Sequence, residues 1–75
     1  MGLLTMALLK INGIDKTYAS GAMPATLADL LAQMNIDAAT VVAEIDGAIV
    51  PRQAFANTRL ADGMTLELVR FVPGG

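Results

Sequence analysis

The chain reads as an α+β roll, a mixed sheet of four or five strands packed on one main helix. Three observations predict it. Short apolar stretches are punctuated by Asn12-Gly13, Asp46-Gly47 and Asp62-Gly63, dipeptides that favour tight turns. Only one stretch, Thr26 to Met34, carries apolar residues at helical spacing. The resulting order of strand, strand, helix, strand, short strand, strand leaves a single helix to cover one face of the sheet, with the first and last strands as central neighbours.

Each element has a local reason. Ala7 to Ile11 alternates, with Leu9 and Ile11 on one face and Lys10 on the other. Asn12-Gly13 turns the chain, because both residues tolerate positive φ, and Ile14 to Tyr18 returns as the second strand. Ser20 to Pro24 has loop chemistry. Thr26 caps the helix, with Asp29 three residues on in the manner of a capping box. Leu27, Leu30, Leu31 and Met34 form one apolar stripe, which reads as core packing against the sheet. Asn35 takes the left-handed position after the helix, and Ile36 folds back onto it. Val41 to Ile45 is the third strand, Ile49-Val50 a short fourth before Pro51, and Arg52 to Asn57 a helical turn in which Phe55 plugs the core. Thr65 to Val72 is the last strand, with Leu66 and Leu68 inward. This is a roll of the β-grasp kind.

Size and composition narrow the function. With 75 residues there is room for one small domain, burying about 60% of its unfolded surface. Residues 6–72 are read as that domain, residues 1–5 as a short leader and residues 73–75 as a tail. The apolar fraction of 55% is too high for disorder. A net charge of −2, with Lys10, Lys16, Arg52, Arg59 and Arg70 scattered singly, argues against nucleic acid. The nine-residue apolar opening is too short for a membrane helix and lacks the basic start of a signal peptide. A cytoplasmic protein is expected. The chain has no Cys and no His, so thiolate chemistry, imidazole metal ligation and a neutral-pH general base are all missing. The carboxylates Asp15, Asp29, Asp37, Asp46 and Asp62 sit at turns or caps and read as structural. No resident metal or cofactor is expected, and no catalytic residue.

The end of the chain stands out: Val72-Pro73-Gly74-Gly75. Two glycines without Cβ make a thread that enters a narrow tunnel, and Pro73 presets its direction by fixing its own φ and extending Val72. The four residues past Phe71 reach at most ~14 Å. Such a tail suits a carboxylate delivered into another protein's active site. The α-carboxylate of Gly75, with a reference pKa of about 3.5, is ionised and a poor electrophile. Activation needs an acyl adenylate, and a partner must supply the nucleotide.

At these residues the chain resembles the ThiS sulfur carriers of thiamine biosynthesis, ubiquitin-like β-grasp proteins. The likeness runs from about Met6 to Gly75. It rests on Asn12-Gly13, Thr26-Leu27 with Leu30-Leu31, Val42-Ala43-Glu44-Ile45-Asp46-Gly47 running into Ile49-Val50-Pro51-Arg52, Leu60 with Asp62-Gly63, Leu66-Glu67-Leu68-Val69, and Gly74-Gly75. The family often has Asn for Asp46, Trp for Phe55 and Asp for Met64; these departures touch a turn and packing. The resemblance implies a cycle. An E1-like adenylyltransferase (ThiF) uses ATP to adenylate Gly75, sulfur from a donor such as a cysteine desulfurase replaces AMP to leave a thiocarboxylate, and thiazole synthase (ThiG) takes that sulfur. The chain itself would be a co-substrate, with Pro73 and Gly74 forming the tail that presents Gly75.

Two related readings stay open at this point: the small subunit of molybdopterin synthase, with the same tail chemistry, and a ubiquitin-like protein modifier. In each case Glu67, Val69 and Phe71, on the outer face of the last strand beside the tail, are the expected partner surface.

Overall fold

A computed structural model of the chain describes residues 6–19 and 21–72. The expected leader 1–5 and tail 73–75, with Gly75, lie outside the described residues. Five strands form one open mixed sheet: β1 (Ala7–Ile11), β2 (Ile14–Tyr18), β3 (Val41–Ile45), β4 (Ala48–Val50) and β5 (Thr65–Arg70), in the order β2-β1-β5-β3-β4. The first and last strands are central and parallel, Lys10 opposite Thr65 and Ile11 opposite Leu66, while every other pairing is antiparallel. This is the β-grasp architecture.

Both hairpins follow from their turn residues. Asn12 and Gly13 have φ of 51° and 80°, and Asp46 and Gly47 have 51° and 88°. Positive φ at both central positions is the type I′ turn, whose twist matches that of paired strands. Ile11 then faces Ile14 across the first turn, and Ile45 faces Ala48 across the second.

The helix α1 (Leu27–Gln33) begins at Thr26, whose Oγ1 accepts the Asp29 N–H at 3.2 Å. It ends as its sequence requires. Asn35 is left-handed at φ 58°, its N–H donates to Ala32 C=O at 3.1 Å, and Ile36 N–H donates to Leu31 C=O at 2.9 Å. These two bonds are the Schellman closure, and Ile36 packs on the core as its hydrophobic contact. Of the stripe, Leu27, Leu30 and Leu31 are buried, but the helix ends at Gln33, and Met34, its C-cap, is exposed.

The stripe packs against Leu9, Ile11, Val41, Ala43, Leu66 and Leu68 of the sheet, with Phe55 and Leu60 closing the same core. Phe55 sits in a 3-10 segment, Arg52–Asn57, and the chain after it ties to the helix start through Leu27 N–H to Thr58 C=O at 2.9 Å. A second short 3-10 segment, Ala38–Thr40, was not legible in the sequence; the Asp37 carboxylate caps it by accepting the Ala39 N–H at 2.9 Å. The last strand stops at Arg70, two residues before the expected Val72. Its partner β3 begins at Val41, and the final rung is Phe71 N–H to Thr40 C=O at 2.8 Å.

Candidate functional site

Among the described residues the outer face of the sheet carries no helix, and its end toward Val72 is apolar. In the β5–β3 pairing, Val69 lies opposite Val42 and Glu67 opposite Glu44. Alternation along β5 buries Leu66 and Leu68 and turns Glu67, Val69 and Phe71 outward, as expected. Val69 is 59% exposed, Phe71 45% and Val42 43%, so three large apolar side chains form a patch next to the tail.

The Glu44–Glu67 pair is unfavourable by itself, since like charges directly opposed across a sheet repel. Ile49, opposite Glu44 on the short edge strand β4, extends the mixed acidic and apolar surface. Val42, Glu44 and Ile49 did not figure in the sequence reading of this surface. Their outward orientation follows from strand alternation, but that β3 lies beside β5 is a long-range fact no local pattern carries.

The position of β5 is fixed at two points by residues far away in sequence, and the turn ahead of it at a third. Asn12 Oδ1 accepts the Leu68 N–H at 2.7 Å, and Asn12 Nδ2 donates to Leu68 C=O at 3.1 Å. Asp46 Oδ1 accepts the Thr65 N–H at 3.0 Å. Asp62 Oδ1, just ahead of the strand, accepts the Leu8 N–H at 2.7 Å. The residues that make the turns thus also lock the strand that carries the tail. Among the described residues no three His, Cys, Asp or Glu side chains are grouped to hold a metal, and no helix is long and apolar enough to cross a membrane.

Comparison with known proteins converges on one family. A sequence model of the ThiS family matches residues 9–75. The crystal structure of the thiamine biosynthesis protein ThiS from Geobacter metallireducens is 32% identical, with a TM-score of 0.74 over 91% of this chain and 99% of that one. A solution structure of a thiamine biosynthesis protein from the same organism gives 32% identity and a TM-score of 0.72, over 91% of this chain and 87% of that one. A thiazole synthase from Paramagnetospirillum magneticum is 33% identical over 67 residues, which is 89% of this chain but only 20% of the synthase. The chain thus spans about a fifth of that relative's length. With a family match over nearly its whole length and a shared architecture, the chain belongs to the ThiS family.

Proposed function

We propose that this protein is the sulfur carrier of thiazole formation in thiamine biosynthesis, a cytoplasmic co-substrate of partner enzymes that carries sulfur on Gly75. The observation that supports this most is the family match itself, which runs through the terminal Gly74-Gly75. The ionised carboxylate of Gly75 attacks the α-phosphate of ATP held by an E1-like adenylyltransferase of the ThiF kind, and pyrophosphate leaves. The terminal sulfur of a persulfide, charged by a donor such as a cysteine desulfurase, attacks the acyl carbon and AMP leaves; a thiol then cleaves the S–S bond of the acyl disulfide so formed, leaving the thiocarboxylate and a disulfide. Thiazole synthase (ThiG) takes the sulfur. A segment similar to this chain forms part of a protein named thiazole synthase, which supports that enzyme as the acceptor.

Within this reading the outward face of β5 is the docking surface. Val42, Val69 and Phe71 supply desolvated contact, and Glu67 with Glu44 select a partner that presents a basic residue, which relieves their repulsion. The test is pyrophosphate exchange by a ThiF-type adenylyltransferase. Exchange that depends on this chain supports the reading; none in its presence refutes it.

A further inference from the structure

The edge of β5 beside the tail is left open, and we propose that it takes an extended main-chain segment of the activating enzyme as an added strand at Arg70 to Val72. The inference rests on the carrier reading and names how that partner holds the terminus.

The backbone groups of β5 alternate in direction. Odd-numbered residues bond to β3: Thr65 C=O accepts from Asp46 N–H at 2.8 Å, and Phe71 N–H reaches Thr40 C=O. Even-numbered residues face β1: Leu66 C=O accepts from Asn12 N–H at 2.9 Å. At Asn12 the strand β1 has already turned back, and the side-chain amide of Asn12 supplies one more rung by pairing both polar groups of Leu68. Beyond that rung the same edge presents Arg70 N–H, Arg70 C=O and Val72 N–H, and none of them has a partner among the described residues.

An unpaired strand edge is a template for another strand. Reach identifies the occupant. In the carrier reading three residues, Pro73 to Gly75, separate Val72 from the reacting carboxylate, and three residues span at most ~11 Å. An enzyme whose nucleotide pocket receives Gly75 therefore has its own surface within reach of residues 70–72. The exposed Val69 and Phe71 sit on the strand that carries this edge, with Val42 one strand behind them, so one partner covers both. In a bound strand continued past Val72, Pro73 falls in the odd series, so its missing N–H removes no rung from the augmented edge.

The experiment compares Val72→Pro, which deletes an edge N–H, with Val72→Ala, which deletes only side chain. Neither breaks a hydrogen bond within the described residues, so both fold, as checked by melting. Titrated against a ThiF-type adenylyltransferase with ATP, Val72→Pro should bind at least about tenfold more weakly and Val72→Ala within about threefold of wild type. Amide exchange at Arg70 and Val72 should slow in the complex and not in the free chain. If wild type binds and Val72→Pro binds within twofold of it, strand addition is wrong while the carrier reading stands. If wild type does not bind, the carrier reading falls and takes this inference with it. Protection of the Val72 amide in concentrated free chain would assign the edge to a second copy and overturn the proposal.

Discussion

Asn12 holds Leu68 through both of its backbone polar groups, across 56 residues of sequence. One side chain thereby substitutes for a residue of strand, at the point where β1 turns away and β5 continues toward the tail. Asn12→Asp keeps the left-handed backbone and the acceptor for the Leu68 N–H but loses the donor to Leu68 C=O. It should cost about 1–3 kcal/mol, the penalty for leaving a partner unsatisfied. Chemical denaturation measures this, and a change below about 0.3 kcal/mol would show that the clamp adds nothing beyond the turn.

Leu30 is fully buried at the centre of the helix stripe. Leu30→Ala should destabilise by about 2–5 kcal/mol. A domain of this size has roughly 5–15 kcal/mol or less in total, so the variant should melt far below wild type. An unchanged melting temperature would mean the stripe tolerates the cavity.

Tyr18 is buried, yet its hydroxyl has no partner among the described residues, and burial pushes its phenol above the usual value near 10. Tyr18→Phe should therefore leave stability unchanged or raise it by up to about 1 kcal/mol. The pH dependence has a definite sign. Above pH 10 the unfolded phenol releases its proton before the folded one does, so the Tyr18 contribution, fully present below that pH, is lost as pH rises. Above about pH 10 wild type should lose stability more steeply than Tyr18→Phe. Parallel curves would contradict this.

Val69 and Phe71 are exposed and point away from the core, so replacing them should spare the fold. Val69→Asp and Phe71→Asp should each weaken binding to the adenylyltransferase by more than about tenfold, equivalent to about 1.4 kcal/mol. Calorimetric titration of the folded variants decides it; full affinity in both would place docking elsewhere.

The parts legible in the sequence share one property: their cause is local. The Asn12-Gly13 and Asp46-Gly47 turns, the Thr26 cap, the Asn35 stop and the inward Leu66 and Leu68 each follow from a few adjacent residues, and the structure bears out each. What escaped depends on pairing. The second roles of Asn12, Asp46 and Asp62 as clamps on neighbouring strands need partners 19 to 56 residues away. The early end of β5 depends on where β3 begins. The outer patch was half visible, since alternation exposed Val69 and Phe71, but only the sheet order brought Val42 and Glu44 beside them.

The central claim is that sulfur travels on the acyl carbon of Gly75. Intact mass spectrometry tests it, on the chain incubated with ATP, a ThiF-type adenylyltransferase and a sulfide source, beside a variant lacking Gly75 and one extended by a residue. Wild type should gain the mass difference of sulfur for oxygen on Gly75 and neither variant should, while both keep the wild-type fold. A thiocarboxylate on the shortened or extended chain, or none on wild type alongside an active enzyme, would contradict it.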